Sequence, residues 1–394
     1  MHNQLQHNIT WGQKGNFLDV PTDTPARDER LGWTGDAQAF AGTAAFNFDV
    51  AGFFTKWLAD LAADQRPGGS VPWVVPDVVA RDGAAGWGDV ATIMPWTLYV
   101  SYGDRGILER QYASMRGWVD FIRGRAGDDL IWSENDTFGD WLAFNSTSAD
   151  YPGATTDKDL IATAFFAHST DLVARAARVL GRSDDARTYR ALFEAIRDAF
   201  DREFVTGTGR IASNTQTAYA LALQFDLIPD SLRVEAGRRL ADDVKAFGHL
   251  TTGFLGTPHL LPALTATGHL DLAYRLLLRK EYPSWLYPIT RGATTVWERW
   301  KSIQPDGSFG PVHMNSFNHY AYGAVADWMH QNVGGIRIGA PGYRSSIIEP
   351  RPGGGVTSAK GSIDTVYGAL SSDWRLTDAG LHLDTVVPVN TTAT

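Results

Sequence analysis

The 394-residue chain contains no cysteine. That excludes structural disulfides, thiolate metal sites and thiol nucleophiles. Long apolar runs are missing as well. None approaches the about 18 residues that a membrane-spanning helix needs, so no membrane partner is expected. No basic run or cluster is present and the net charge is −9, which excludes a phosphate-tracking surface and argues against nucleic acid. The chain has no glycine-rich phosphate cradle, no dinucleotide fingerprint, no H-E-x-x-H pair, no close acidic triplet and no G-x-S-x-G elbow. The sequence therefore asks for neither a cofactor nor a metal. Its first residues, Met1 to Gln6, are polar and lack the apolar core of a signal peptide, which points to the cytoplasm.

Hydrophobic residues make up 44% and charged residues 20%, the balance of a soluble globular protein with one large domain or two. The 14 tryptophans are many for this length. Most of them belong in a core, but flat indole faces also suit the C–H groups of sugars.

From about residue 37 to 335 the apolar spacing is helical. Leu108, Tyr112, Met115, Val119 and Ile122 share one face, as do Tyr189, Leu192, Phe193, Ile196 and Phe200. A third helix holds Leu160, Ile161, Ala164, Phe165, Leu172 and Val173, with Gly181 as its stop and Ser183 or Asp184 as the cap of the next. Further helices are expected near 37–47, 50–64, 89–102, 215–226, 231–247, 257–267, 270–279 and 317–333, mostly in short-linked pairs. No repeat of fixed length appears, which disfavours a solenoid. After Gly334-Gly335 the pattern turns to strands: 336–338, 345–348, Val356 to Lys360, Ser362 to Tyr367, Ala369 to Thr377 and Leu381 to Val389. The division is 1–335 helical and 336–394 a small antiparallel β-domain that stops as a further strand begins. Long segments at 66–88, 126–157, 202–214 and 281–316 hold most of the Gly, Pro, Trp and Asp, and long aromatic loops of this kind are usually functional. A ring of helix pairs with its loops gathered at one end fits these facts.

The densest chemistry lies in Asp23-Thr-Pro-Ala-Arg-Asp-Glu-Arg-Leu-Gly-Trp-Thr-Gly-Asp36. Asp23, Asp28, Glu29 and Asp36 are interleaved with Arg27, Arg30 and Trp33. Glu29 packed near Trp33 and other carboxylates has the surroundings that raise an acid's pKa, as a proton donor needs. The plain alternative is a surface ion pair, Asp28–Arg30 or Glu29–Arg27. Asp23 and Asp36 read as ionised holders of sugar hydroxyls, with Arg27 binding substrate beside them; Asp36 also suits the cap of a helix from Ala37. Downstream, Glu298 stands between Trp297 and Arg299. Arginine keeps a carboxylate ionised and able to act as a base toward water; the alternative is a buried Glu298–Arg299 pair supporting a loop. His319, at the mouth of a helix, is expected to bind a hydroxyl, although lone histidines are more often structural. Trp87 and Trp141 sit in two similar corners, Gly86-Trp-Gly-Asp89 and Phe138-Gly-Asp-Trp141, and each offers either a pocket wall or a core ring beside a helix-capping Asp. Two separated acids beside tryptophan and arginine indicate glycoside hydrolysis.

At these strings the chain resembles the bacterial α-L-rhamnosidases of glycoside hydrolase family 78. Asp23 to Asp36, Trp87-Gly-Asp89, Phe138-Gly-Asp-Trp141, Thr252-Gly-Phe-Leu-Gly-Thr257, Tyr282-Pro-Ser-Trp-Leu-Tyr287, Gly292-Ala-Thr-Thr-Val-Trp-Glu-Arg-Trp300 and Met314-Asn-Ser-Phe-Asn-His-Tyr-Ala321 run in the family's order. The resemblance implies an (α/α)6 barrel over 1–335, followed by a β-sandwich over 336–394. It implies hydrolysis of terminal α-L-rhamnosyl groups with inversion, Glu29 being the general acid and Glu298 the general base. It places Asp23, Trp33, Asp36, Trp87, Trp141 and His319 around the rhamnose. An inverting pair leaves roughly 6.5–9.5 Å between carboxyl groups for water. Two departures stand out. Thr24 occupies the place where the family usually has Cys. The chain also starts soon before the first motif, although family members carry β-sandwich modules ahead of the barrel. The expectation is a truncated form, whose exposed apolar surface would favour association into a homo-oligomer. Other (α/α)6 glycosidases or phosphorylases, and a silent glycan-binding fragment, are the alternatives.

Overall fold

The computed structural model describes residues 1–133, 136–144 and 155–394. Part of the expected long segment 126–157 lies outside the described residues. The helices are α1 (His2–Asn16), α2 (Thr34–Asn47), α3 (Ala51–Asp64), α4 (Val90–Tyr102), α5 (Arg105–Ala126), α6 (Lys158–Leu180) and α7 (Ser183–Phe204). They continue as α8 (Gln216–Gln224), α9 (Asp230–Phe247), α10 (Thr257–Ala266), α11 (Leu270–Leu278), α12 (Tyr287–Thr290) and α13 (Val325–Trp328). Helices α2, α4, α6, α8, α10 and α13 touch in that order, and α13 returns to α2. They form a closed inner ring, with α3, α5, α7, α9 and α11 as outer partners. The fold is a six-hairpin helical barrel followed by a small β-domain.

Composition sorts the two layers. Helices α2 and α8 are rich in Ala and buried almost all round, as inner positions require. Outer α7 buries Tyr189, Leu192, Phe193, Ile196, Phe200 and Phe204 along one stripe, each such side chain contributing about 1.5–3 kcal/mol. Gly181 ends α6 in the left-handed conformation, φ 74°, as its sequence position predicts. The expected cap at Ser183 or Asp184 does not form. Helix α7 begins at Ser183, behind Arg182, and no side chain caps it.

Two elements depart from the sequence pattern. Helix α1 escapes it because its buried face includes Asn8, Gln13 and Asn16, which donate to the carbonyls of Ala293, Ala44 and Gly12. The helix expected at 317–333 starts only at Ala321 and runs as a 3₁₀ turn, α13 and a π turn. Before it, the Glu298 amide donates to the Ser316 carbonyl and the His319 amide to the Val296 carbonyl, which ties this stretch to the Glu298 segment instead of a helix.

The strands are β1 (Ile336–Ala340), β2 (Ser345–Ile348), β3 (Ser358–Thr365), β4 (Gly368–Thr377), β5 (Gly380–Val386) and β6 (Thr392–Ala393). They make two sheets, β1-β2-β6 and β3-β4-β5. One pair, β2 with β6, is parallel, so the domain is not antiparallel throughout. The two strands expected at 356–360 and 362–367 are one. Gly361 pairs with Ser372 within β3, and a Cβ there would come within 3.3 Å of the Gly334 backbone; close approach, not a break, calls for glycine. Leu370 and Trp374 are fully buried, and the Trp374 indole donates to the Val333 carbonyl at 2.7 Å.

Candidate active site

A cavity of about 220 Å³ opens where inner helices α2, α4 and α10 and the 321–333 segment begin. Asp23, Arg27, Glu29, Trp33, Asp36, Trp87, Trp141, Glu298 and His319 all line it. The structure therefore brings together every site residue expected from sequence. Phe138, Phe254 and Met314 complete the wall. Sequence reasoning quoted their strings but passed over the residues themselves, although each lies within three residues of a named tryptophan, glycine corner or histidine motif.

The acids sit on a closed loop. The Asp23 amide donates to the Leu31 carbonyl, and the Leu31 amide donates back to Asp23 Oδ1 at 2.9 Å. Arg27 and Glu29 ride on the loop between them. Arg27 donates through Nη1 to Glu298 Oε2 at 2.7 Å and through Nη2 to Glu298 Oε1 at 3.0 Å. The same guanidinium reaches Glu29 Oε2 from Nε at 3.0 Å and from Nη2 at 2.7 Å. Glu29 Oε1 accepts from the Trp33 indole at 2.7 Å. Both acids share Nη2, so their nearest oxygens lie within about 6 Å of each other, closer than the roughly 6.5–9.5 Å expected for an inverting pair. A guanidinium, rather than open space, bridges them. The Glu29–Arg27 pair thus exists, but it is part of the cavity, while Asp28 and Arg30 approach only to 3.9 Å at the exposed tip.

Glu298 is almost fully buried. Burial alone would raise its pKa, but the hydrogen bonds and charge of Arg27, His319 and the Ser316 amide bring it below the ordinary value. The partner expected from sequence, Arg299, instead reaches the Met314 carbonyl at 3.4 Å. The cation that matters stands 271 residues away in sequence, which adjacency could not reveal.

His319 is buried, with Nε2 3.1 Å from Asp36 Oδ1. Its Nδ1 accepts from the Ala321 amide at 3.4 Å, which leaves the proton on the nitrogen facing Asp36. Burial depresses the imidazole, but the Asp36 bond and the surrounding carboxylates outweigh it and raise its pKa. Burial raises Asp36 against the pull of His319. Asp36 is no helix cap: α2 starts two residues earlier, at Thr34. Burial, with the charges of Glu29 and Asp36, pushes Asp23 up to about 8. Asp23 was expected to hold hydroxyls as an anion. A pKa raised in this way favours the protonated form, which offers a donor as well as an acceptor.

The tryptophan corners are built alike. Phe138 packs edge-on against Trp33, Trp73 and Trp141 and tilted against Trp87, with centroids 4.6–5.8 Å apart, one continuous aromatic wall. Behind it stand two buried carboxylates that face away from the cavity. Asp89 does not cap α4; it accepts from the Gly86 amide, the Trp118 indole and the Ser169 hydroxyl. Asp140 accepts from the amides of Gly253, Leu255 and Gly256 and from the Thr217 hydroxyl. The Phe254 amide donates to the Trp141 carbonyl, so Asp140 and this bond fix two wall residues together. A Cβ on Gly253 would lie 2.2 Å from the Trp141 carbonyl oxygen, which is why this loop needs glycine.

Two acids sharing a cavity with aromatic walls is the arrangement of a glycosidase, and comparison with known families decides which. Residues 1–333 match the bacterial alpha-L-rhamnosidase 6 hairpin glycosidase domain and residues 335–394 the bacterial alpha-L-rhamnosidase C-terminal domain. The chain belongs to the bacterial α-L-rhamnosidase family. An α-L-rhamnosidase of Streptomyces avermitilis is 51% identical over 100% of this chain and 37% of its own length. One from Formosa agariphila is 45% identical over 99% of this chain and 42% of its own. The crystal structure of the Streptomyces avermitilis α-L-rhamnosidase complexed with L-rhamnose superposes with a TM-score of 0.94, covering 99% of this chain and 37% of that one. The native α-L-rhamnosidase of Aspergillus terreus gives 0.96 at 40% identity, over 99% and 46%. The chain thus spans less than half the length of these rhamnosidases.

Proposed function

We propose that this chain holds the hydrolytic site of an inverting α-L-rhamnosidase, with Glu29 as general acid and Glu298 as general base. The observation that carries the reading is the convergence of both carboxylates on one guanidinium inside one cavity. Glu298, held ionised by Arg27, takes a proton from water as the water attacks the anomeric carbon. Glu29 delivers a proton to the glycosidic oxygen as the bond breaks. Arg27 bridges the gap between them, so the attacking water enters by sharing its donors. Charge grows on the sugar as an oxocarbenium ion, and the ionised Glu298 beside it stabilises that charge. The wall of Trp33, Trp87, Phe138 and Trp141 suits the C–H face and the C6 methyl of rhamnose, a 6-deoxy sugar.

Proton NMR of the first-formed sugar from an aryl α-L-rhamnoside tests this. Release of β-rhamnose, followed by mutarotation, is expected. The α-anomer appearing first would overturn the inverting assignment, and absence of release would overturn the activity.

A further inference from the structure

We propose that a buried hydroxyl pair, Thr24 and Ser316, positions the two acids relative to each other; this rests on the acid and base roles given above. The Thr24 and Ser316 hydroxyl oxygens are 2.6 Å apart, and the two residues are 0% and 2% exposed. The direction of the bond follows from the neighbours. Ser316 Oγ donates to the Asn318 carbonyl at 3.0 Å and accepts from the Asn318 amide at 3.1 Å. Its proton is committed, so Thr24 donates to Ser316. Thr24 Oγ1 in turn accepts from the Ala26 amide at 3.3 Å.

Each end of this bond is one step from a catalytic group. Thr24 follows Asp23 at the neck of the loop that carries Arg27 and Glu29, a loop closed by the paired Asp23 and Leu31. Ser316 holds the base directly: its amide donates to Glu298 Oε2 at 2.7 Å, and its carbonyl accepts from the Glu298 amide. The acid loop and the base segment are separated by 292 residues in the chain. Arg27 also joins them, but it sits in the cavity, where substrate and water compete for its donors. The Thr24–Ser316 bond is dry and lies outside the cavity lining, so it persists while the Arg27 contacts rearrange. A thiol is a weak donor, so the threonine hydroxyl gives this seam a stronger bond than cysteine would.

The test measures kcat, KM and the pH profile on an aryl α-L-rhamnoside for the whole chain carrying Thr24→Val, Thr24→Ser, Ser316→Ala and the Val/Ala double change. Melting curves establish folding. Loss of the bond is expected to lower kcat about tenfold with little change in KM, since a buried hydrogen bond contributes on that scale. The acid limb of the profile should move up as Glu298 loses the registered Ser316 amide. Thr24→Ser should restore both, and the double variant should be no worse than the poorer single one. A Thr24→Val enzyme with unchanged kcat and limb overturns the proposal. So does equal damage from Thr24→Ser, which would assign the effect to the methyl group, or additive losses in the double variant. If Thr24→Val does not fold, Ser316→Ala and Thr24→Ser decide alone. Glu29→Gln is run alongside on an alkyl α-L-rhamnoside, whose leaving group needs the proton: unchanged turnover there sinks the acid assignment itself, whereas a dead Glu29→Gln beside an unaffected Thr24→Val sinks only the seam.

Discussion

Arg27 grips both carboxylate oxygens of Glu298, at 2.7 and 3.0 Å, and gives two further donors to Glu29. Bidentate pairing of this kind fixes geometry as well as charge. Glu298 must be ionised to act as a base, and Arg27 is the main group holding its pKa down. In Arg27→Met that pKa rises, so the acid limb of kcat/KM moves to higher pH. Activity at neutral pH is expected to fall on the order of 100-fold, the cost of a lost hydrogen bond to a buried charge. Lysine in its place should recover only part, since one ammonium cannot span both acids. The pH profile of each variant checks this.

Glu29→Gln and Glu298→Gln should each cost about 10³-fold, within the range of acid–base catalysis. They should differ with the leaving group. A nitrophenolate departs without protonation, so Glu29→Gln should be far milder on that substrate than on an alkyl rhamnoside. Glu298→Gln should be equally damaging on both. Parallel kinetics on the two substrates separates acid from base.

Asp23 gives a stability signature. Its folded pKa is raised to about 8, above the ordinary aspartate value, so the fold favours the protonated form. The stabilisation from this group is complete below the unfolded pKa and is lost as pH climbs toward and through 8. Asn mimics the neutral acid. Asp23→Asn should melt higher than wild type at pH 9 and no higher at pH 4, while losing activity. Thermal melts across that range, compared with wild type, provide the measurement.

Asp140 meets only donors, including three amides of the loop that carries Phe254. An Asn amide would direct its own hydrogens at some of them. Asp140→Asn should destabilise by about 3 kcal/mol, as for a broken buried charge network. It should also raise KM more than it lowers kcat, because Trp141 and Phe254 are walls rather than reactants. Chemical denaturation and steady-state kinetics read the two effects separately.

The parts legible in the sequence were those whose signal is local. The stripes of α5 and α7, the Gly181 stop and the acid loop declare themselves through spacing or through charge that solvent alone does not explain. The inner ring showed less of a face: α2 and α8 are buried almost all round and mix small, apolar and polar residues, so no single stripe marks them. Helix α1 was invisible because it buries side-chain amides, two of which, Asn8 and Gln13, bond to distant carbonyls. Within the cavity, residue types pointed to side chains that do share one lining, and adjacency gave the Glu29–Arg27 pair, but the longer-range pairings were not legible. Adjacency suggested Arg299 for Glu298 and helix caps for Asp36 and Asp89, whereas the partners are Arg27, His319, and the Trp118 and Ser169 side chains. Long-range hydrogen bonds leave no trace in spacing.

The indole of Trp374 turns the β-domain into a keystone. It reaches from β4 to the Val333 carbonyl, on the inner segment whose return to α2 closes the barrel. Peeling the strands away would strip that carbonyl of its donor and open a void beneath the joint where the circle of helices meets itself. Barrel and strands should therefore melt as one cooperative unit, and damage to a sheet remote from the chemistry would be felt at the catalytic mouth.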